Sequence, residues 1–508
     1  MEQIAKDVLI VGAGPTGMTA AIELKRAGLN VRVVDKSDHP AQYSQALVVQ
    51  ARTLEQFQRY GIASEAVEQG RKLTRVLFWS EGKKIADIDL AGIPSRFAYS
   101  LFLPQSKTEA ILRKEMEALG VFIEREIELV SLTQQDDLAT AVLRKKDGSE
   151  ETVHPHWVIG CDGAHSAVRR LTQTPFEGAS IGLSFFLGDL EIEGPDSPGD
   201  ELSIHLSQGD VVFMGRISDR IVRLIVALHG QKEEDVRKEL SIEDFQSAID
   251  RVGVRVTVRG AEWTAPFHVR DSQAKQYRIG NVFLAGDASH IHSPVGGQGM
   301  NTGIQDVANL AWKIVAVSRG ADRALLDSYH EERGEVGRHL LNATERGLKM
   351  ATTPSVVMEK LRDFLAPLVT SQASVQDSIR EFISETAIAY RSSSIVSDHG
   401  GDGSLRAGDR MPDLDAGPHG KTLLSDWTEA CFLAILLDVS DRDAFPSLAS
   451  ANVKSIFLRS EDLDDAGRHL LGSEPKIVIL RPDGYVGYRG GAARGDELDE
   501  FLRQNRLN

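Results

Sequence analysis

The chain of 508 residues is long enough for roughly two to four domains, and its composition, 42% hydrophobic and 26% charged, is that of an ordinary globular protein. Its formal net charge of −16 excludes nucleic acid as an expected partner, because phosphates need a basic surface. Cys161 and Cys431 are too few for a disulfide framework, which favours a reducing cytoplasm. We find neither a signal-peptide pattern nor an apolar run of about 18 residues, so we expect no membrane partner.

The first elements along the chain predict a βαβ unit. Residues 7–11 (Asp-Val-Leu-Ile-Val) indicate a short buried strand, and residues 16–27 indicate a helix that ends at Gly28. Residues 31–34 form a second predicted strand, which ends at Asp35. Because a unit of about 30 residues of this kind joins parallel strands, we expect a parallel sheet in this part of the protein.

The middle of the chain predicts a helix and then a different kind of sheet. The helix covers residues 106–119, where Ser106 and Glu109 have the spacing of a capping box. Apolar runs at 153–160 and 281–286 each lead into a turn of Gly and Asp. Strand-like runs between them predict a largely antiparallel sheet, with strands at 202–206, 211–217 and 221–228.

The final part of the chain predicts helices, a linker and a small α/β region. Residues 300–350 have a helical composition, and residues 397–415, rich in Gly, Asp and Ser, indicate a linker. The elements predicted after it are strands at 432–439 and 453–458, a hairpin with strands at 476–480 and 485–488 around Pro482-Asp483-Gly484, and a helix at 496–507.

A glycine-rich motif joins the first strand to the first helix. In Gly12-Ala13-Gly14-Pro15-Thr16-Gly17, the first glycine permits a tight turn, the second lets the backbone approach a diphosphate, and the third allows close packing. The N-terminus of the helix offers free N–H groups to phosphates. Asp35 lies 18 residues after Gly17, close to the separation expected for an acid that binds a ribose. The motif predicts a dinucleotide site without distinguishing NAD from FAD.

Two later motifs favour FAD. Residues 161–169 (Cys-Asp-Gly-Ala-His-Ser-Ala-Val-Arg) follow one predicted strand, and residues 284–288 (Leu-Ala-Gly-Asp-Ala) follow another. Asp287, at a strand end, can accept hydrogen bonds from a polyol chain. The glycine-rich run 296–299 leads into a helix that begins near Met300. Its N–H groups favour negative charge, such as that on the N1–C2=O edge of a reduced flavin.

In this order, the three motifs resemble those of the class A flavoprotein aromatic hydroxylases, the group of para-hydroxybenzoate and phenol hydroxylases. The resemblance covers roughly residues 5–345, and its most specific part is 286–313. It implies a single-component FAD-dependent monooxygenase that hydroxylates a phenolic or polyketide-like aromatic substrate with NAD(P)H and O2, through a C4a-hydroperoxyflavin. FAD is expected to be non-covalent. No second GxGxxG follows a strand, so NAD(P)H is expected as a transient co-substrate.

By resemblance, the cofactor-binding residues come from four parts of the chain. They are Gly12, Gly14, Pro15, Thr16, Gly17, Asp35 and Lys36 at the ADP half; Gln45, Arg52 and Gln105 toward the ribityl and pyrophosphate region; Asp162 and Gly163 in the middle motif; and Gly286, Asp287, Pro294, Gly296, Gly299, Met300 and Asn301 along the ribityl chain and the isoalloxazine. Many relatives carry an arginine at the position of Gln45, which implies fewer charge contacts here. The flavin carries the chemistry, so no acid or base is assigned, and the carbonyl of Pro294 is the candidate partner of a substrate hydroxyl.

The expected fold class is α/β, with three kinds of domain. We predict a discontinuous FAD-binding Rossmann-like domain, an antiparallel-sheet substrate domain, a helical connector and a thioredoxin-like C-terminal domain. The C-terminal domain has no C-x-x-C, so dithiol redox chemistry is not expected there. The predicted ranges are 1–75, 101–174 and 271–345 for FAD binding, 76–100 and 175–270 for the substrate sheet, 346–400 for the connector, and 401–508 for the thioredoxin-like domain.

Other functions remain open at this stage. A FAD-dependent dehydrogenase or epoxidase would carry the same motifs, and a non-catalytic FAD-binding regulatory protein is an alternative of another class. A flavin halogenase is disfavoured because the Trp-x-Trp-x-Ile-Pro motif is absent. The sequence leaves a homo-oligomer open.

Some residues have plain structural interpretations. His290 and His292 have poor spacing for a metal, so no metal is predicted. Cys161, after an apolar run, is interpreted as a packing residue. Four side chains fit a pocket lining and a sheet core equally well: Phe185, Phe186, Phe213 and Met214.

Overall fold

The protein is described here by a computed structural model. The ranges that the structure describes are 7–40, 46–135, 138–227, 240–292, 297–352, 372–414, 422–424, 427, 431–439, 445, 448, 453–492 and 495–505.

Strands and helices alternate along the first third of the chain, and long strands follow. The strands are β1 Val8–Val11, β2 Val31–Asp35, β3 Val48–Val49, β4 Arg71–Leu73, β5 Arg75–Ser80, β6 Lys83–Asp89, β7 Ser100–Phe102, β8 Ile123–Arg125, β9 Ile127–Gln135, β10 Leu138–Lys145, β11 Glu150–Val153, β12 Trp157–Gly160, β13 Phe176–Glu193, β14 Glu201–Ser207, β15 Asp210–Arg216, β16 Ile221–Ala227, β17 Thr257–Ala274, β18 Arg278–Ile279, β19 Val282–Leu284, β20 His290–Ile291, β21 Ser397–Asp398, β22 Phe432–Leu437, β23 Val453–Leu458, β24 Lys476–Leu480 and β25 Val486–Gly491. The α-helices are α1 Pro15–Arg26, α2 Ala51–Tyr60, α3 Ala63–Gln69, α4 Gln105–Ala118, α5 Ala167–Leu171, α6 Ile242–Arg251, α7 Gly299–Ser318, α8 Asp327–Thr352, α9 Ala373–Ser384, α10 Asp465–Leu471 and α11 Gly495–Gln504.

The predicted βαβ unit is present and lies at the centre of a mainly parallel sheet. The strand order of this sheet is β18-β19-β12-β1-β2-β8. Strand β1 pairs in parallel with β12 on one side and with β2 on the other, and all its residues are buried. Such an apolar run is typical of a strand covered on both faces. Helix α1 therefore begins at the carboxyl edge of the sheet, where ligands bind in open α/β sheets.

A largely antiparallel sheet lies beside the parallel one, with the order β20-β17-β13-β16-β15-β14-β5-β6. The predicted strands at 202–206, 211–217 and 221–228 match β14, β15 and β16. The sequence did not predict the full length of β13 and β17, which have 18 residues each. Their pairing shifts register after Asp189 and again after Glu191, so the two-residue alternation that marks a strand is broken.

The two faces of this sheet pack against different parts of the protein. On one face, Phe186 and Met214 join a cluster with Phe245 of helix α6. On the other face, Phe185 and Phe213 join the main core, which also contains β1 and helix α7. The sequence could not assign these four side chains to a pocket lining or to a sheet core. The two-residue period of the strands places the two pairs on opposite faces of the sheet, and both pairs are core.

The C-terminal region forms a mixed sheet, with the order β21-β25-β24-β22-β23. Its predicted strands, hairpin and last helix are present. The predicted linker at 397–415 is wrong for the described residues up to 414. Residues 397–398 pair with β25, and Leu405, Ala407 and Met411 are buried beneath the sheet. The composition of small polar residues reflects tight turns in a packed segment rather than a free connection.

Two further details differ from expectation. Helix α4 begins at Gln105 after Pro104 with no side-chain cap, so the Ser106–Glu109 capping box does not form, and Glu109 accepts a hydrogen bond from Gln105 Nε2 instead. Helix α8 continues without interruption through the expected domain boundary at residue 346. In the ranges given above, no helix combines the length and apolarity that a membrane crossing requires.

Candidate active site

The glycine-rich loop between β1 and α1 contains two glycines that the fold itself requires. A Cβ on Gly12 would overlap the carbonyl oxygen of Cys161, and Gly12 has a φ of +103°. A Cβ on Gly17 would overlap the carbonyl oxygen of Gly12. By contrast, a Cβ on Gly14 would meet nothing within 4 Å. The protein therefore leaves open space at Gly14, next to the start of α1, which has no side-chain cap.

Asp35 at the end of β2 is held against this loop. Its Oδ2 accepts a hydrogen bond from Ala13 N at 2.7 Å, and its Oδ1 accepts one from Ser37 N at 2.8 Å. The side chain is half-buried. Because each carboxylate oxygen can accept a second hydrogen bond, Asp35 keeps acceptor capacity for hydroxyl groups that lie over the loop.

Asp287 marks a second wall of the same region. Its side chain is exposed to solvent, yet surrounding protein raises the pKa of its carboxyl by desolvation, with a further contribution from Asp306. Both properties are expected of a side chain that lines a cleft open to solvent. Among the residues with described positions, none donates a hydrogen bond to this carboxylate. Asp287 is thus a deep acceptor that is open to a ligand.

The loop that carries Asp287 is anchored by a buried carboxylate, Asp306 of helix α7. Asp306 Oδ2 accepts hydrogen bonds from Gly286 N at 3.0 Å and from His290 Nε2 at 2.8 Å, and Oδ1 accepts one from Arg333 Nε at 2.7 Å. Burial alone would raise the pKa of Asp306, but Arg333 and His290 outweigh it and hold this pKa at about 2. The anchor is therefore ionised at neutral pH.

The start of α7 is tied to the short strand β3 by Asn301. Its Oδ1 accepts a hydrogen bond from Gln50 N at 2.9 Å, and its Nδ2 donates to Val48 O at 2.9 Å and to Gly297 O at 2.7 Å. The amide is thereby used by backbone groups on both sides. A Cβ on Gly299 would meet only His292, at 3.6 Å, so the first turn of the helix has room above it.

These features fit FAD better than a smaller nucleotide. The uncapped N-terminus of α1 and the space at Gly14 suit a diphosphate, because the N–H groups and the helix dipole favour negative charge. Asp35 and Asp287 supply acceptors at two places, as required by a ribose and a ribityl chain. These groups therefore agree with a long dinucleotide that carries hydroxyls on both sides of its diphosphate.

Comparison with known proteins also indicates FAD binding, and the similarity covers nearly the whole chain. The family described as FAD binding domain matches residues 5–344. Pentachlorophenol 4-monooxygenase of Sphingobium chlorophenolicum is 31% identical, over 97% of this chain and 96% of that protein. The chain belongs to the FAD-binding aromatic hydroxylases. A second relative of this chain, 6-methylpretetramide 4-monooxygenase of Streptomyces rimosus, is 33% identical over 95% of this chain and 90% of that protein.

Solved structures agree with this assignment. OxyS anhydrotetracycline hydroxylase from Streptomyces rimosus superposes on the hydroxylase with a TM-score of 0.82 and 28% identity, over 98% of both chains. The hydroxylase is therefore a FAD-dependent flavoprotein monooxygenase of aromatic compounds, with NAD(P)H as co-substrate.

Several predicted cofactor residues of the hydroxylase have other partners. Asp162 accepts hydrogen bonds from Ser166 Oγ and from two backbone N–H groups at the start of α5. Gln105 Oε1 accepts one from Ala46 N at 3.1 Å. Arg52 binds the C-terminal region, since its Nη2 donates to Asp483 O at 2.5 Å. We therefore leave Arg52 out of the proposed flavin contacts. Three predicted residues lie outside the described ranges: Gln45, Pro294 and Gly296.

The sequence reasoning missed the buried charges of α7 and α8. Asp306, Asn309 and Lys313 are all fully buried, and their spacing of three and four residues places them on one face of α7. They pack against Glu332 and Arg333 of α8. The sequence did contain a signal: Asp306 and Lys313 are the only charged residues of α7, a largely buried helix, and buried charges require partners.

Two residues with plain interpretations also have clear positions. Cys161 is buried, and burial followed by the nearby Asp162 raises the pKa of its thiol well above its usual value, which suits a packing role. The ring of His290 is buried and stacks on that of His292, with centroids 5.9 Å apart. Since its Nε2 donates to Asp306, His290 serves to support the loop at Gly286.

Proposed function

We propose that this monooxygenase hydroxylates an electron-rich aromatic ring of phenolic or polyketide-like type, with FAD bound in the cleft between Gly14, Asp35 and Asp287. The observation that carries the proposal is the exposed carboxylate of Asp287, which lies deep in the protein and accepts no hydrogen bond from the described residues. The named substrates of two relatives, pentachlorophenol and 6-methylpretetramide, support the substrate class.

Each part of the proposed cleft has a binding or orienting role. Gly14 and the first turn of α1 hold the diphosphate, Asp35 accepts from the ribose, and Asp287 accepts from the ribityl hydroxyls. The first turn of α7, from Gly299, directs its N–H groups at the pyrimidine edge of the ring. Bound FAD, reduced by NAD(P)H, supplies the activation of O2 for insertion into an aromatic C–H bond. The protein contributes position, dryness and electrostatics.

The face of the large sheet toward the parallel sheet suits an aromatic substrate. Cross-strand pairing aligns Leu187 with Ile225, and Ile225 with Phe213, in one apolar row, in which Leu187 and Phe213 are buried and Ile225 is half-buried. The next row along the same face holds a buried ion pair, in which Arg223 donates to both oxygens of Asp189. An apolar row beside fixed charges is the usual lining of a pocket that orients a largely apolar ligand.

The proposal includes the domain organisation. We infer that the ranges given for the FAD-binding and substrate-sheet domains hold as functional units, and that residues 401–508 form a thioredoxin-like domain. The mixed C-terminal sheet supports this, since β22 pairs in parallel with β23 and antiparallel with β24, and helices α10 and α11 follow β23 and β25. Because a single thiol cannot cycle through a dithiol, the expected role of this domain is packing.

The experiment measures flavin and coupling in the purified protein. FAD should be released on denaturation, and Asp287→Ala should weaken its retention about tenfold or more, while Asp287→Asn, which keeps an acceptor oxygen, should weaken it less. Phenols and polycyclic aromatics are then screened for those that accelerate flavin reduction by NAD(P)H. Product per NAD(P)H consumed is measured with H2O2 alongside. If the ligand is oxidised without insertion of oxygen, the dehydrogenase alternative takes the place of the monooxygenase proposal.

A further inference from the structure

The turn between β24 and β25, from Arg481 to Tyr485, is polar and yet completely buried. Arg481, Asp483 and Tyr485 are each no more than 2% exposed. Hairpin turns normally lie on the surface, where water satisfies their backbone groups. Here the turn enters the FAD-binding part of the chain, and Asp483 O accepts hydrogen bonds from Arg52 Nη2 and from Gln56 Nε2 of helix α2.

Arg481 pairs with Asp483 inside the turn, and it also pairs with a charged residue of α8. Arg481 donates to both oxygens of Glu332, at 2.6 and 3.0 Å. Glu332 also accepts from Lys313 Nζ at 2.8 Å, and Asp483 accepts from Trp312 Nε1 at 3.2 Å. Burial lowers the pKa of Lys313 to about 8, even though Glu332 opposes the shift. The ammonium of Lys313 is therefore a weak substitute for the guanidinium of Arg481.

Arg333, which follows Glu332 on α8, connects the charged residues around Arg481 to the loop at Gly286–Asp287. Arg333 donates from Nε to Asp306 Oδ1 at 2.7 Å, and Asp306 holds Gly286 N. Arg333 Nη1 also donates to the hydroxyl of Tyr390 at 2.8 Å. The ring of Tyr390 packs on that of Tyr485, with centroids 4.3 Å apart. The C-terminal turn thus contacts the support of the Asp287 loop by two routes, one through Glu332 and one through Tyr390.

We propose that the Arg481–Tyr485 turn positions the FAD-binding loop at Gly286–Asp287, and that Arg481 is a positioning residue for FAD although it does not touch the cofactor. The turn fixes α2, α7 and α8 relative to one another. Each of these helices is linked to a proposed cofactor element: Gln50, just before α2, donates to Asn301, Gly299 begins α7, and Arg333 of α8 supports Asp306. The inference rests on the proposed FAD site, and it gives the C-terminal region a task in cofactor binding.

The test compares two variants of Arg481 with a matched surface control. Arg481→Met removes the charge and keeps the length, whereas Arg481→Lys keeps the charge and loses the two-pronged geometry. The control is Arg459→Met, the same change at a side chain that is 74% exposed in the same region. For each full-length apoprotein, circular dichroism establishes folding, and titration with FAD gives its dissociation constant and the visible spectrum of the bound flavin.

We expect Arg481→Met to raise the dissociation constant of FAD at least tenfold and to alter the flavin spectrum. Arg481→Lys should give an intermediate value, and Arg459→Met should match the wild type. A folded Arg481→Met with the wild-type constant and spectrum overturns the proposal, because a merely structural role would lower the melting temperature alone. If Arg481→Met does not fold, the double variant Arg481→Met/Glu332→Gln takes its place, because it removes both charges of the ion pair. Wild-type FAD affinity in the double variant would also overturn the proposal. Failure of the wild-type apoprotein to bind FAD would instead overturn the proposed function.

Discussion

Two loops face the proposed cofactor cleft, and the protein holds them in different ways. The loop from Gly12 to Gly17 is fixed by close backbone contacts: a side chain on either end glycine would overlap a carbonyl oxygen of the loop or of Cys161. The loop at Gly286–Asp287 is fixed by charge, through the buried Asp306 and its partner Arg333. The first depends mainly on steric fit, with one hydrogen bond from Ala13 N to the carboxylate of Asp35, whereas the second depends on ionised groups from two other helices.

This difference explains why the loop at Gly12–Gly17 could be predicted from the sequence and the anchoring of the loop at Gly286–Asp287 could not. Steric restraints within a short loop leave a fixed spacing of glycines, which a single motif displays. A charge anchor needs only that its partners meet in space. Asp306 lies 20 residues after Gly286 and Arg333 lies 27 after Asp306, and no spacing rule connects them. The following predictions test whether the two loops fail in different ways.

The largest effect is expected at the charge anchor. Asp306→Asn keeps the shape of the side chain but leaves Arg333 buried without its counter-charge. Loss of one partner of a buried pair typically costs about 3–5 kcal/mol, so the free energy of unfolding should fall by that order. FAD affinity should fall with it, because Gly286 N loses a charged acceptor. Denaturant unfolding and FAD titration measure the two effects. Asp377→Asn, an exposed carboxylate paired with Arg380, is the control, and equal stability of both variants would contradict the charge anchor.

The second prediction separates two glycines of the other loop. Gly17→Ala should destabilise even the apoprotein, by about 1–3 kcal/mol, because its Cβ overlaps the Gly12 carbonyl oxygen. Gly14→Ala should leave apoprotein stability unchanged, since Gly14 has a φ of −75° and its Cβ meets nothing within 4 Å. It should nevertheless weaken FAD binding about tenfold or more, because the methyl group takes the place of the diphosphate.

Thermal unfolding of both apoproteins and FAD titration check this pair. If Gly14→Ala binds FAD as tightly as the wild type, the diphosphate does not lie at Gly14. If Gly17→Ala has wild-type stability, the steric account of the first loop fails.

The same contrast explains what the sequence could predict in the rest of the molecule. The βαβ unit, the strands β14 to β16 and the C-terminal hairpin follow from short-range patterns, and they occur where predicted. The role of Arg52 did not follow from such a pattern, because its partner Asp483 lies 431 residues away. The linker prediction at 397–415 failed for a related reason: its composition describes turns, and only the contacts of Leu405 and Met411 with a distant sheet show that it is packed.

A smaller effect, dependent on pH, is expected near the start of α7. Glu385 is buried and accepts hydrogen bonds from Thr302 Oγ1 and Gln305 Nε2. Burial raises the pKa of its carboxyl to about 8 from an ordinary 4.5, against the influence of Arg333. Because the folded state then holds a proton that the unfolded state releases, the stability from this group is complete below pH 4.5 and is lost as the pH rises to about 8.

Glu385→Gln should remove this dependence, because the amide imitates the neutral acid. We expect the variant to unfold at a temperature roughly 2 °C above the wild type at pH 8.5, with a smaller or reversed difference at pH 5. Glu461→Gln, at a carboxylate that is 72% exposed, serves as the control. A difference between variant and wild type that is the same at both pH values would show that Glu385 is ionised throughout.

The smallest effect is expected at Cys431, and it sharpens the contrast between the cofactor loops and the C-terminal region. Cys431 is half-buried, and its carbonyl oxygen, which any residue would retain, accepts a hydrogen bond from Trp427 Nε1 at 3.1 Å. A single thiol cannot form the disulfide that a dithiol relay needs, so electrons from NAD(P)H have no route through it. Cys431→Ser should therefore change the turnover number and the yield of H2O2 by much less than tenfold, or about 1.4 kcal/mol of barrier. Cys161→Ser is the informative partner, because Cys161 packs behind Gly12 and Gly17 and its replacement puts a hydroxyl into a fully buried site. It should lower stability by about 1–3 kcal/mol. A tenfold loss of coupled turnover in a folded Cys431→Ser protein, with no change in FAD affinity, would instead give the C-terminal region a part in the chemistry and not only in positioning the cofactor.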